Sequence, residues 1–300
     1  MDLLASLLST LRLHTTVFAQ GTFCGSWAID TSGSGQASFH LVVAGRCFLR
    51  MPPADQTWPL GPGDLVLFPR DAPHAITPGV GSEAPPTAAV PVPFDIAPPE
   101  PGTGLLCGHF EFARTRRNPV LDALPDHVLF RAHERADSWP RRVIEQVIRE
   151  SKAGAPASSV VIERLVDILF IEAVRRRAAA APDAIGLFAA LRDPQLRRAI
   201  EGMHARPEHD WTVASLAERA AMSRSAFAAR FHAVLAETPV QYLTRWRMQL
   251  AYGWLRDGAV TVLDVALRAG YQTEAAFIRA FKREMGVTPG AVRRAAVGRA

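Results

Sequence analysis

Two stretches in the last third of the chain repeat one arrangement of residues suited to reading a polyanion. The first runs Thr212-Val213-Ala214-Ser215-Leu216-Ala217, then Ala221-Met222-Ser223-Arg224-Ser225, then Phe227 and Phe231. The second runs Thr261-Val262-Leu263-Asp264-Val265-Ala266, then Gly270-Tyr271-Gln272-Thr273, then Phe277 and Phe281. In each, a short helix carries a small alanine, Ala217 or Ala266, that lets a second helix cross closely, and Ser223 or Thr273 is placed to cap that second helix. The phenylalanines at i and i+4 lie on one face and anchor it. Anchoring turns Arg224, Ser225, Ala228 and Ala229 outward in the first unit, and Glu274, Ala275, Ala276 and Arg279 in the second. Such a helix lies in the major groove and reads base edges from its N-terminal half. Guanidinium pairs bidentately with guanine O6 and N7, which makes Arg279 the best base reader. Arg224, Arg230, Lys282 and Arg283 suit phosphates or plain solvation, and the alanines suit fit and thymine-methyl contact.

Charge follows the same division. The chain of 300 residues has a net charge of +5, from 34 Lys and Arg against 29 Asp and Glu. Residues 1–200 carry 20 of each sign, and residues 201–300 carry 14 against 9, so the whole excess lies in the C-terminal third. That is the footprint expected of a polyanion partner.

The elements that must hold these helices are legible in periodicity. Pro239–Arg256 reads as one uninterrupted helix with Tyr242, Trp246, Leu250 and Trp254 at i,i+4 steps and Pro239 in its first turn. Eighteen residues span roughly 27 Å, against ~34 Å between successive major grooves on one face of DNA. Another helix is expected from Pro194 to Ala205. Upstream, Trp139–Ser151 and Ser158–Arg177 read as two amphipathic helices separated by Gly154-Ala155-Pro156. Val161, Leu165, Ile168, Leu169 and Glu172 share one sector of the second, which suits packing on the preceding domain or a homodimer interface. Residues 178–183 read as a linker, and residues 2–12 as a short amphipathic helix. From 15 to 112 short apolar or alternating runs such as Phe39–Phe48, Leu65–Phe68 and Leu105–Phe112 are cut by Gly and Pro, the signature of a small barrel or sandwich. Within it, 78–101 is a proline-rich loop.

The C-terminal pattern resembles the DNA-binding domain of the AraC/XylS family. It does so over Trp211-Thr212-Val213-Ala214-Ser215-Leu216-Ala217, Thr238-Pro239-Val240-Gln241-Tyr242-Leu243, Trp246-Arg247-Met248, Ala269-Gly270-Tyr271, Ala280-Phe281-Lys282-Arg283 and Gly286-Val287-Thr288-Pro289. The resemblance implies binding of double-stranded promoter DNA and recruitment or blocking of RNA polymerase. The whole chain is similar to AraC-type regulators with a cupin-like sensor, through Cys24-Gly25-Ser26-Trp27, Phe39–Cys47 and Leu105-Leu106-Cys107-Gly108-His109-Phe110-Glu111-Phe112. The fold class implied is α+β: a cupin-like β-barrel with a helical hairpin over 1–183, the hairpin serving dimerisation, and an all-α domain with tandem helix-turn-helix units over 194–300. Part of that group responds to reactive chlorine or related oxidants through cysteines placed like Cys24 and Cys107, which makes oxidation of these two one candidate signal.

Gly61-Pro62-Gly63-Asp64-Leu65-Val66-Leu67-Phe68-Pro69 with His74 resembles the second half-motif of cupins, with Asp71 at the usual glycine place. His40 stands for the first histidine of the other half-motif, but Val42 occupies the place of the second and Cys47 falls near the glutamate. These departures speak against a three-histidine, one-glutamate centre. The remaining cluster of His40, Cys47, His74, Cys107 and His109 suits Zn²⁺ or another transition metal such as copper, or simple burial of the thiols. A small organic effector walled by Trp27, Trp58 and Phe94 is the other candidate input. No Ser/His/Asp set, phosphate loop or supported carboxylate pair is present, so no catalytic residue is assigned and no enzyme is expected; the alternatives are a thiol- or metal-responsive regulator and a cupin metalloenzyme with a DNA-binding tail. Three cysteines argue against a disulfide scaffold. The start lacks a basic leader and no run is long enough to span a bilayer, so a cytoplasmic protein without a membrane partner is expected.

Overall fold

The computed structural model describes residues 2–52, 56–80, 90–112, 118–133, 138–180, 185–258 and 260–297. In chain order the elements are α1 (Leu3–Leu11), β1 (His14–Phe23), β2 (Ala37–Ala44), β3 (Cys47–Met51), β4 (Gln56–Leu60), β5 (Leu65–Phe68), β6 (Ala75–Thr77), β7 (Thr103–Glu111), α2 (Pro119–Asp122) and β8 (Val128–Phe130). They continue as α3 (Trp139–Ala153), α4 (Ser158–Ala180), α5 (Leu187–Arg192), α6 (Pro194–Ala205), α7 (Val213–Arg219), α8 (Arg224–Leu235), α9 (Pro239–Arg256), α10 (Val262–Arg268), α11 (Glu274–Met285) and α12 (Pro289–Val297). Packing divides the chain into a β unit, 13–111 with 124–177, and a helical unit, 1–12 with 112–123 and 178–300.

In the β unit, an antiparallel sheet of order β1-β7-β2-β5-β8 lies with a smaller one of order β4-β3-β6. The period of two sets their inner faces: on β2 and β7, Ser38 stands opposite His109, His40 opposite Cys107 and Val42 opposite Leu105. Val42, Leu105 and Cys107 join Leu49, Val66 and Phe68 in one buried cluster. The outer face of the larger sheet is covered by α4, with the Phe110 ring 4.9 Å from Phe170 and Thr15 Oγ1 donating to Asp167 Oδ1 at 2.7 Å. That explains why seven of eight β2 positions are buried and why the sequence there reads as apolar rather than alternating. Gly108 is needed in β7, since a Cβ there would lie 2.3 Å from the Phe39 ring and 2.5 Å from the Thr16 carbonyl.

The expected run Phe39–Phe48 is two strands, broken at Gly45 with φ +74°. The strand β8 has no counterpart among the expected elements; at three residues it is too short to show a period. Of the proline-rich loop, 81–89 lie outside the described residues, while Val92 pairs with Thr22 through backbone bonds of 2.7 and 2.9 Å. Of the expected linker, Ala178–Ala180 is the end of α4 and 181–183 lie outside the described residues.

The packing units do not follow chain order as the 1–183 and 194–300 division does. Leu3, Leu7 and Leu11 of α1 are buried, and α1 packs on α6 and α9 of the helical unit. Arg12 then donates to both carboxylate oxygens of Asp257 at 2.6 Å. A short leucine-rich helix needs an apolar groove to bury its stripe, and α6 with α9 supplies one. At that junction His204 is buried, stacked on Trp246 at 3.7 Å between ring centroids, with Nε2 2.9 Å from the Tyr242 hydroxyl and Nδ1 3.4 Å from Ser6 Oγ.

Burial pushes the His204 imidazole down to about 3. A group lowered in this way stabilises the fold above the unfolded value of about 6.5 and loses that contribution as pH falls. Unfolding free energy should therefore drop by about 2 kcal/mol between pH 7 and pH 5 from this residue alone. Denaturant melts across that range should show the slope, and His204→Phe should flatten it.

Candidate nucleic-acid interface

Each helix-turn-helix is built from caps and one tight turn. Thr212 accepts from the Ser215 amide while Ser215 reaches back, and Thr261 and Asp264 do the same at α10; both are capping boxes. The first helix of each unit closes with a backbone bond to its small alanine: Met222 N donates to the Ala217 carbonyl and Tyr271 N to the Ala266 carbonyl, both at 2.9 Å. The residue that swings the chain is left-handed in both, Ala221 at φ +54° and Gly270 at φ +77°. Ser223 and Thr273 then cap α8 and α11 by accepting from Ala226 N and Ala276 N, each at 3.3 Å. The second turn is one residue longer, with Gln272 before its cap.

The anchors expected to face inward do so. Phe227, Phe231, Phe277 and Phe281 are all 0% exposed. Phe231 meets Tyr242 edge-on at 5.8 Å, at the N-terminal half of α9. Phe277 and Phe281 join Met248, Ala251 and Leu255 from its C-terminal half. Removing one such ring costs about 3–5 kcal/mol, so orientation of both second helices is firmly tied to α9.

A side chain with no structural role assigned from the sequence links the two units. Arg247, midway along α9, donates from Nε to the Pro207 carbonyl at 2.6 Å and from Nη2 to the His209 carbonyl at 2.8 Å, both just ahead of α7. Gly270, in the turn of the second unit, lies against the same guanidinium; a Cβ there would be 2.7 Å from Arg247 Nη2 and 2.8 Å from the Glu208 carbonyl. The available signal was a cation set between the buried Trp246 and Met248.

Of the outward positions, Arg224, Ser225, Ala229, Glu274, Ala275, Arg279 and Lys282 are exposed, and Ala228 and Ala276 are half-buried. Among the described residues Arg224, Arg279 and Lys282 make no ion pair. Two other cations assigned to phosphate or solvent are engaged: Arg230 with Asp193 at 2.7 Å and Arg283 with Glu284 at 3.1 Å.

The sensor candidates are only partly brought together. His74 Nδ1 donates to the Ala72 carbonyl at 2.7 Å, which leaves Nε2 to accept from His40 Nε2 at 3.1 Å. Thr31 Oγ1 sits 3.0 Å from the same His74 nitrogen. Burial lowers both imidazoles, that of His40 furthest. Asp71 takes φ +56° in the place where cupins carry glycine and accepts from Gly35 N at 2.7 Å. Among the described residues no group of three His, Cys, Asp or Glu side chains could hold a metal ion. His109 instead stacks on Phe18 at 4.6 Å. Cys47 lies in the apolar core, where burial pushes its thiol up to about 12. The residues do not fit the metal centre that the cupin resemblance implies, because two of the nitrogens are spent on each other, Cys47 lies in the apolar core and His109 stacks on Phe18.

Cys24 and Cys107 differ just as sharply. Cys24 is half-buried with Sγ 3.5 Å from the Glu100 carbonyl. Cys107 is fully buried, and burial raises its thiol pKa strongly. A reactive thiol is accessible and of lowered pKa, so the placement of Cys107 opposes the oxidant-sensing role expected of it. Of the supposed effector walls, Trp27 is core, Trp58 packs on that core and meets His127 at 5.6 Å, and Phe94 lies against Gly104.

Comparison with known proteins agrees with both halves. Residues 2–179 match the family described as cupin, and residues 216–295 the one described as helix-turn-helix domain. A putative AraC-like transcription regulator of Streptomyces antibioticus is 34% identical, over 98% of this chain and 99% of that one. The HTH-type transcriptional regulator AlkR of Acinetobacter baylyi is 28% identical over 96% and 98%. The RCS-specific HTH-type transcriptional activator RclR of Escherichia coli is 30% identical over 98% and 97%.

The paired turns give a test of opposite sign. Ala221→Gly relieves a left-handed alanine and should stabilise the protein by about 1 kcal/mol. Gly270→Ala adds a Cβ in a left-handed turn against Arg247 and should lower the melting midpoint by several degrees. Thermal denaturation of both variants beside the parent measures this.

Proposed function

The chain belongs to the AraC-like transcription regulators that join an N-terminal cupin to a helix-turn-helix domain, and we propose that α8 and α11 enter successive major grooves of promoter DNA. It is a DNA-binding regulator. The observation that carries the proposed docking is the anchoring of both second helices, through phenylalanines at 0% exposure, to opposite halves of one 18-residue helix. That spacer supplies roughly 27 Å of the ~34 Å between grooves, and the width of the units supplies the rest. Arg279 reads a base edge, Arg224 and Lys282 hold phosphates, and Ser225, Ala228, Ala229, Glu274, Ala275 and Ala276 fit the groove walls. The 1–183 region receives a signal and the 194–300 region binds DNA in the cytoplasm, where RNA polymerase is the onward partner.

A homodimer has its own support. The core face of α4 is Ile162, Val166, Leu169, Phe170, Ala173 and Val174, whereas Val161 and Ile168 are 40% and 41% exposed on another face. That exposed apolar stripe is the support for a two-fold interface; Arg164 and Glu172 beside it are taken up within the chain by Asp167 and by Arg175 and Arg176. Leu169, grouped with that stripe in the sequence, belongs to the core face.

Footprinting on DNA upstream of the protein's own gene should give two protected grooves, with steep loss of affinity as salt rises. Arg279→Ala should cost about 1–3 kcal/mol on the specific site and little on random DNA; equal losses on both would remove its base-reading role. Ile168→Asp should convert a dimer to a monomer in sedimentation without loss of folding, and an unchanged sedimentation coefficient would remove the α4 interface.

A further inference from the structure

A cavity of about 240 Å³ opens on the β unit away from the barrel interior. Its floor is Val43, Phe130, Ile144 and Ile148, and its rim carries Arg131, Arg141 and Arg176. The barrel interior is filled by Trp27, Leu49, Val66, Phe68 and Cys107, which lie together in one buried cluster. An effector therefore finds room outside that core, against α3 and the last turns of α4.

The three guanidiniums are held yet have donors left over. Arg131 donates from Nη1 to Asp64 Oδ2 at 2.9 Å and to the Pro59 carbonyl at 2.6 Å, and Asp64 is itself fixed by the Ala132 amide at 2.8 Å. Arg176 lies over the Phe130 ring, 4.6 Å from its centroid, with Nε on Glu172 at 3.1 Å. Arg141 gives Nε to Glu145 at 2.9 Å. Each guanidinium has five N–H donors in a flat fork, so Nη2 of all three is uncommitted among the described residues. Among the described lining residues Glu145 is the one carboxylate. Its bond to Arg141 joins side chains 51% and 37% exposed respectively, a solvent-screened pair that an incoming carboxylate exchanges at little cost.

We propose that this cavity binds a small carboxylic acid with a compact apolar body, aromatic or branched, its carboxylate on the arginine rim and its body on the Phe130, Ile144 and Ile148 floor. The charge follows from the surplus of forked donors, which match a carboxylate bidentately. The size follows from a volume just below the ~300–1,000 Å³ of drug-sized sites. Arg176 stands two residues before the chain passes into the helical unit at 178, so an occupant that holds Arg176 acts on the segment joining the sensor to the DNA-binding helices. That last link rests on the regulator reading above; the site itself does not.

The test is calorimetric titration of the full chain with benzoate, phenylacetate and 4-methylvalerate, each beside its amide. At least one acid should bind, its amide should bind at least tenfold more weakly, and Arg176→Ala and Arg141→Ala should each weaken the acid at least tenfold. Ile144→Trp, which fills the floor, should abolish binding while circular dichroism stays native. Failure of all three acids, binding equal for acid and amide, or binding indifferent to both the arginine and the filling variants would overturn the site. Gel shifts with and without the bound acid separate the two claims: an altered DNA affinity supports the link to α8 and α11, and an unaltered one overturns that link while the titration still decides the site.

Discussion

The helical unit depends on aromatic burial against a single helix. Four phenylalanines, two from each second helix, are removed completely from water, and α9 supplies apolar surface to each pair at a different end. Because α9 runs unbroken from a capping box at Thr238 to Asp257, the two packing sites cannot move independently without breaking backbone hydrogen bonds. Interiors packed in this way are bistable at best rather than continuously deformable. The spacing of the two exposed helix faces is therefore a consequence of core packing, not of the residues on those faces.

Arg247 adds a polar constraint to that apolar one. Its two bonds to backbone carbonyls at 207 and 209 and its close approach to Gly270 join the lead-in of the first unit to the turn of the second. Burial disfavours the guanidinium's charge and Tyr271, Asp210 and Glu208 favour it, so the charge is held in place by geometry as well as by partners. Gly270 is glycine for two reasons at once, a left-handed backbone and a missing Cβ, whereas Ala221 in the equivalent turn meets only the first. The asymmetry between the two units is thus local and physical.

The β unit matches the cupin family, and its inward histidines and cysteines are engaged within the fold. Asp71 takes a left-handed conformation, and His74 is fixed through Nδ1. The inward His40 and His74 satisfy each other, and Cys47 and Cys107 serve as small apolar side chains in the core. The interior of the β unit is thus filled by its own side chains, and α4 covers the outer face of the larger sheet.

The sequence by itself determined the elements whose signals are local or strictly periodic. The bounds of α6 and α9, the two turns, their caps and the inward phenylalanines all follow from caps and a period of 3.6, and the family resemblance rests on those same residues. It also determined the exposed faces of α8 and α11, because fixing two anchors on a helix fixes the rest. Only the tertiary structure decided what depends on partners far along the chain. The packing of α1 on α6 and α9, the pairing of Arg230 with Asp193, the role of Arg247 and the split of α4 into a core face and an exposed stripe each need a neighbour that no local window contains. The fate of the cysteines and histidines belongs there too: a thiol or imidazole has the same sequence signature whether it is exposed and reactive or buried and neutral, and burial is a property of the assembled core.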